Sequence, residues 1–372
     1  MKKLCLVSLL ALFFASSAKA EFQYRVPMGM DFSPQSVQQS APDGLHGVRC
    51  GVHHCLGVNN NTVWVVGGNN DGQLGLGDKV DRYAWEDTGF AADSVGVGQY
   101  TSYAILNSEV YAAGRNNAGQ LGLGTSGSDV LYFAPTGFNA SYVEGSTSHT
   151  LALSGGRVYA TGAVSGSGLE TPSYSFVDTG LSAESIAVGT YHSFAINNGN
   201  LYVTGKGSYG RMGTGSGTDA PSWVDLGISV DAVSAGHVHS LILKDGTVWS
   251  TGEGANGRTG HGDTTIRMVF TDTGFAADSI MAGYSASYAI QNGIVYSTGN
   301  NANKALVLNG AGHHYTDGFK STGQAADSLL SAGNQFIYIS NGGDILAGGN
   351  GSAGKLGQGD TTNRDTFVAI PQ

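Results

Sequence analysis

Glu109–Gly124 reads EVYAAGRNNAGQLGLG, and the chain says it more than once. One period earlier it stands as VWVVGGNNDGQLGLGD, Val63–Asp78. Eroded copies follow as LYVTGKGSYGRMGTG (201–215), VWSTGEGANGRTGHGD (248–263) and ILAGGNGSAGKLGQGD (345–360). Upstream of each lies a marker glycine, a few polar or aromatic residues and a short apolar run. The markers are Gly51, Gly98, Gly145, Gly189, Gly236, Gly283 and Gly333, spaced 47, 47, 44, 47, 47 and 50. A period of that length is the signature of a repeat architecture.

Each unit reads as four short strands. The first ends at the marker, as in Ser94–Gly98 or Ala232–Gly236, and the second is the apolar run after it, such as Tyr103–Leu106. Asn198-Gly199, Asp245-Gly246, Asn292-Gly293 and Asn341-Gly342 then mark hairpins, because primed turns need positive φ. A Val-Tyr or Val-Trp strand follows, then the Gly-rich loop, then a fourth strand whose corner falls at Phe90, Phe138, Leu181, Phe275 and Phe319. The pattern predicts an all-β, seven-bladed β-propeller of four-stranded antiparallel blades. Gly at 59 of 372 residues and charged residues at 12 % fit strands and turns better than amphipathic helices.

The run GHVHSLIL (Gly236–Leu243), paired with the Asn-x-x-Gly-Gln-Leu-Gly-x-Gly loop, resembles the regulator of chromosome condensation repeat family. The resemblance spans about residues 47–370 and is strongest in units 1, 2 and 5. It is weakest in units 3 and 6, where Ser165–Gly168 and Asn303–Leu306 replace the loop. It implies a ring whose relatives include exchange factors for the GTPase Ran, photoreceptors and modules of large ligases; a bacterial β-lactamase inhibitor has a similar ring. Exchange activity is not carried over, since the repeat intervals leave no room for the family's inserted hairpin. Trp64, Trp85, Trp223 and Trp249 stand at unlike positions on this reading, which excludes a photoreceptor cage.

Residues 1–20 read as a signal peptide, with Lys2 and Lys3, an apolar run from Leu4 to Ala15, and Ala18-Lys19-Ala20 before a cut near Glu21. Residues 21–46 form a leader in which Tyr24–Gly29 resembles a fourth strand, leaving residues 47–372 for the propeller. The expected molecule is an exported, bacterial-type member of the family, periplasmic or secreted, monomeric and not inserted in a membrane. Without the signal the charge moves from −10 to −13, because Lys2, Lys3 and Lys19 leave. That balance argues against nucleic acid, which is met by a basic face. In an oxidising compartment Cys50 and Cys55 are expected to form a disulfide across a tight connection. Their spacing with His53 and His54 is cramped for a structural zinc site.

Asp-Thr-Gly occurs at Asp87, Asp178 and Asp272, at one position of different units, so no shared-proton carboxylate pair is expected. The Gly-rich loops precede no helix and offer one acid each, which suits neither phosphate nor calcium. Asp78, Asp263 and Asp360 read as turn caps. His54, His192 and His239 share one position, three after the marker, and are expected to bond a neighbouring blade's backbone; the equivalents elsewhere are Thr101, Ser148, Ala286 and Phe336. No metal, cofactor or catalytic set is expected.

Loops after the first and third strands leave each blade at one end. They collect Tyr100, Arg115, Tyr191, His192, Tyr209, Arg211, His237, His239, Arg258 and Tyr284. Tyr and Arg are enriched in binding hot spots, so this end is the expected face for a partner protein. A glycan or cell-wall ligand is the alternative, as is a polysaccharide-acting enzyme, which would need converging acids; Asp71 and Glu253 are the few available.

Overall fold

The computed structural model describes residues 44–310 and 314–371. The signal segment and the leader strand at 24–29 lie outside them. Seven four-stranded antiparallel sheets follow one another, each with its strands in sequence order. Blades 1 to 7 are His46–Ala91, Ser94–Asn139, Tyr142–Ser182, Ser185–Ser229, Ala232–Ala276, Ser279–Ala325 and Ser328–Ala369. The helical pieces are short 3-10 turns, and no helix among the described residues is long and apolar enough to cross a membrane. Hydrophobic clusters sit between successive blades; one joins Leu56, Val63 and Leu74 to Val95, Ala104 and Phe133.

The ring closes between blades 7 and 1. Cys50 N–H donates to Ser331 Oγ (2.8 Å), and Cys55 Sγ lies 3.7 Å from Lys355 O. One cluster spans the seam, with Val48, Cys50, Cys55 and Trp85 packed against Phe336, Tyr338 and Leu356. Blade 7 takes its fourth strand, Arg364–Ala369, from its own end of the chain, so each blade is contiguous in sequence. The Cys50–Cys55 disulfide is formed, between residues directly opposite on the first two strands. Closing so short a loop contributes about 2 kcal/mol in the chain-entropy model.

The marker glycines mark where blades meet most closely. A Cβ on Gly51 would fall 2.2 Å from Gly98 O, and one on Gly236 would fall 2.6 Å from Gly283 O. On Gly333 it would meet Gly51 O at 2.4 Å, so the same contact bridges the seam. Each marker N–H bonds the carbonyl three residues on, as in Gly51 N to His54 O and Gly189 N to His192 O, both 2.8 Å. In blade 3 that bond runs from Ser146 to His149, so Ser146 holds the marker position and Gly145 precedes it. The equal spacing of Gly145 hides this one-residue offset.

The loop glycines are seats for the next blade. Phe133 packs on Gly75, Phe176 on Gly122, Trp223 on Gly168, Phe270 on Gly213, Phe319 on Gly260, and Trp85 across the seam on Gly357. Three expectations change here. Phe319 is this fourth-strand aromatic, and the corner of blade 6 is Thr322-Gly323-Gln324, where Thr322 donates to Val295 O (2.9 Å). Trp85 and Trp223 share one repeat position, while Trp64 and Trp249 share another, opposite Asp87 and Asp272, so the tryptophans are not scattered. The turn of blade 7 is Gly342-Gly343, both at positive φ, rather than Asn341-Gly342.

The recurrent acids are structural. Asp87, Asp178 and Asp272 accept the N–H two residues on, at 2.8–2.9 Å, where a glycine bulges the strand. Asp78, Asp263 and Asp360 each accept an N–H two residues on (2.9–3.0 Å) and pair with an Arg four residues on, at 2.8 Å.

Candidate functional site

Beneath the loop end runs a buried relay that joins blades. His54 Nε2 lies 2.9 Å from Ser102 Oγ, His192 Nε2 is 2.7 Å from Ser240 Oγ, and His239 Nε2 is 2.8 Å from Ser287 Oγ. Ser102, Ser240 and Ser287 in turn donate to Gln73, Arg211 and Arg258 carbonyls. With each hydroxyl proton spent on a carbonyl, Oγ accepts from the imidazole, which fixes the Nε2–H tautomer. The expected bond to a neighbouring blade's backbone is not made: each imidazole bonds a serine side chain of the next blade, and that serine reaches back to a loop carbonyl of the histidine's own blade. His149, not Ser148, is the blade 3 member: Ser146 Oγ donates to its Nδ1 (2.7 Å) and its Nε2 reaches Ser193 Oγ (2.9 Å). In blades 2, 6 and 7 the histidine is missing, and Tyr103, Tyr288 and Tyr338, two residues further on, donate to Gln120, Ala305 and Lys355 carbonyls.

Burial disfavours the charged imidazole. It pushes His54, His149 and His239 down to about 3 and lowers His192 well below its usual value. His192 and His239 are fully buried, so they hold the blades together beneath the surface and are not presented to a partner.

Arg211 and Arg258 are likewise buried, at 4 % and 8 % exposure. They occupy the glutamine position of the Gly-Gln-Leu-Gly loop. Gln120 Nε2 donates to Thr147 O (3.1 Å), and Arg211 Nη1 donates to His237 O (3.2 Å), the equivalent carbonyl of the next blade. Arg258 pairs with Glu253 at 3.2 Å. Lys355 fills the same position in blade 7, where burial lowers its ammonium to about 8. Its Nζ donates to Asn334 O (3.3 Å) and stands 5.1 Å from the Phe336 ring centre. The sequence signal was there, since each of these cations aligns with a glutamine.

What reaches the surface is an aromatic arc. His237 and Tyr284 stack at 4.0 Å with 12° between planes, and Tyr191 lies 5.8 Å from His237. The Arg211 guanidinium lies 5.7 Å from the centres of both Tyr191 and Tyr209, which are 39 % and 48 % exposed. On the other side of the mouth Arg115 covers the Tyr100 ring at 3.9 Å and grips Asp71 through two bonds of 3.0 and 3.1 Å. Asp71 and Glu253, the acids an enzyme would need, are each tied into an ion pair on separate blades.

A polar chain that the sequence did not suggest links the two sides. Thr147 Oγ1 donates to Gln99 Oε1 (2.7 Å), Gln99 Nε2 to Thr190 Oγ1 (2.6 Å), and Thr190 Oγ1 lies 3.0 Å from His237 Nδ1. Burial lowers His237 to about 4, helped by the nearby Arg211 and Arg258 charges, so a neutral ring accepts that bond. Gln99, Thr147 and Thr190 each directly follow the marker position, but the other blades put Val52, His237, Tyr284 and Asn334 there, which is why no pattern flagged them.

No family model matches the chain, and no curated protein matches it in sequence. Solved structures do. Human WBSCR16 superposes with a TM-score of 0.73 over 84 % of this chain and 94 % of its own, at 16 % identity. Prp20p from Saccharomyces cerevisiae, described with its binding to Gsp1p and histones, gives 0.75 at 17 % identity, covering 86 % and 88 %. Yeast RCC1 (Prp20) bound by Kap60 gives 0.74 at 17 %, covering 92 % and 91 %. The likeness is one of fold.

Proposed function

We propose that this chain is a non-enzymatic binding protein that recognises a partner protein through the mouth of the ring. The observation that carries this reading is the Tyr191–His237–Tyr284 arc, three rings on three successive blades held in one geometry. A rigid aromatic surface loses little conformational freedom on binding, which is how such residues become hot spots. Tyr209, Tyr100 and Arg115 extend it, with Arg211 and Arg258 bracing it from below. Prp20p, a propeller of similar fold, is described as binding Gsp1p and histones. An exported, monomeric protein working without a cofactor fits the amino-terminal segment and the acidic composition; a glycan is the alternative ligand.

The test is affinity capture from periplasmic and culture-medium proteins with wild type and the variant Tyr191→Ala/Tyr209→Ala/Tyr284→Ala. The wild type should retain a protein that the variant binds at least about 100-fold more weakly, since three truncations of about 1 kcal/mol or more each remove about 3 kcal/mol. Equal retention by a folded variant contradicts the reading. Binding to a glycan array but to no protein replaces it with the alternative.

A further inference from the structure

Blade 4 departs from the repeat at two positions of its Gly-rich loop, and both departures meet at one point. The first is Arg211. Blades 1 and 2 place Gln73 and Gln120 there, and Gln120 makes to the next blade's carbonyl the bond that Arg211 makes to His237 O. A neutral amide therefore suffices for the structural role, and the guanidinium charge is an addition. The second is Tyr209, held in the left-handed region at φ 64°, ψ 9°. Blades 5 and 6 fill that position with Asn256 and Asn303, at φ 60° and 55°, and asparagine tolerates it better than a bulky residue does. A tyrosine is strained there, and residues held in such conformations cluster at binding and catalytic sites. Its ring is half exposed, so burial does not offset the strain.

The two side chains converge with Tyr191. The guanidinium stands 5.7 Å from the centre of each tyrosine ring, a recessed cation flanked by two exposed aromatic walls. It is fixed in place, since Nε donates to Ser208 O (2.9 Å) and Nη1 to His237 O (3.2 Å). Nη2 bonds nothing among the described residues, and it is not one of the atoms sealed from solvent. No carboxylate closes on it. The acids that act on Arg211 through space are Asp219 and Glu253, and each is already in an ion pair, with Lys206 at 2.6 Å and with Arg258 at 3.2 Å. Three cations thus share two acids, in a chain whose net charge is −10. A buried charge is normally paired. Arg258 meets that rule through Glu253, whereas Lys355 has Ala353 where blade 4 has Tyr209 and so lacks the second wall.

We propose that the partner protein presents an acidic side chain to this pocket, its carboxylate accepting from Arg211 Nη2 and its methylenes lying against the Tyr191 and Tyr209 rings. The inference rests on the reading of the mouth as a protein-binding face and adds what that face selects. A carboxylate supplies the counter-charge that the loop lacks, and a hydrogen bond between two ionised groups is stronger than a neutral one. The aromatic walls hold water away from that bond, as the rim around a binding hot spot does.

NMR titration of the uniformly labelled full chain with two peptides, acetyl-Leu-Glu-Leu-amide and acetyl-Leu-Gln-Leu-amide, tests this. The Arg211 Nε–H signal, assigned by its loss in Arg211→Gln, should move saturably with the glutamate peptide. That peptide should bind at least about tenfold more tightly than the glutamine peptide. Arg211→Gln should fold, because glutamine holds this position in blades 1 and 2, and should bind the two peptides equally. Tyr209→Asn, the residue of blades 5 and 6, should weaken the glutamate peptide several-fold. No saturable shift with the glutamate peptide, equal affinity for both peptides in the wild type, or a preference that survives Arg211→Gln overturns the proposal. So does tighter binding of inorganic phosphate than of the glutamate peptide, which would make the pocket a phosphate site. Tyrosine-dependent capture of a protein by a chain without the peptide preference removes this inference alone and leaves the protein-binding reading standing. Undiminished capture by the triple tyrosine variant removes both.

Discussion

At pH 5 the folded ring should be several kcal/mol less stable than at pH 7.5, and the loss should track the buried histidines. In the unfolded chain an imidazole titrates near about 6.5. In the ring, burial holds His54, His149 and His239 near about 3, with His192 also far below its usual value. The folded values are depressed, so between these limits the unfolded state binds more protons and stability falls as pH falls. Glu144 works the other way by one proton over part of the window, because its folded value is raised to about 7. Counting only the four fully buried imidazoles against Glu144, a net uptake of three protons corresponds to about 4 kcal/mol per pH unit, to which the lowered His237 and His261 add, against a total stability of about 5–15 kcal/mol. Urea midpoints measured across this range should drop steeply below pH 6. His239→Gln, which keeps a donor but does not titrate, should flatten the slope by about one proton's worth, or about 1.4 kcal/mol per pH unit. A midpoint at pH 4.5 equal to that at pH 7.5 would show that the imidazoles are not buried as described.

Trp85→Ala should open the ring at one place. Trp85 is fully buried in the seam, packed on Gly357 of blade 7 and edge-on to Tyr338 at 6.3 Å. Truncating so large a buried ring costs about 3–5 kcal/mol. The chain itself joins every other pair of neighbouring blades, but among the described residues blades 7 and 1 are joined by packing and by bonds such as Cys50 to Ser331. Trp223→Ala, at the same repeat position between blades 3 and 4, removes a less buried ring from a junction that the chain crosses. Hydrogen exchange should therefore accelerate most in blades 7 and 1 of Trp85→Ala, by about 100-fold or more on the lower bound of that cost. Comparable acceleration at all blades in both variants would mean that closure is no weaker at the seam.

Much of this was legible in the text of the chain, for reasons particular residues make plain. Markers such as Gly51 and Gly236 could be found because a Cβ there would fall 2.2 and 2.6 Å from a neighbouring blade's carbonyl, which only glycine tolerates. The loops could be found because their glycines seat the next blade's aromatics. Both are backbone requirements, so they repeat. Blade 3 defeated the spacing, since Ser146 fills the marker position while Gly145 kept the period. Blade 6 misplaced its corner because Phe319 is aromatic, like Phe275, but stands where Phe270 does.

The site was less legible. Tyr191, Tyr209, His237 and Tyr284 were visible as residue types on the right loops, and the structure gathers them on adjoining blades. Arg211, Arg258, His192 and His239 lie on the same loops and strand starts but turn inward, and burial is set by neighbouring blades that local sequence does not reveal. Gln99 and Thr190 are joined across 91 residues.

The direct measurement is a hydrogen-exchange footprint of the captured partner on this chain. Protection should concentrate in the connections at 98–100, 189–191, 236–238 and 283–285, which carry the aromatic arc around the mouth. Protection at the opposite end instead, over the turns at 107–108, 198–199, 245–246 and 292–293, or along the outer fourth strands, would contradict the assignment of the mouth as the working face.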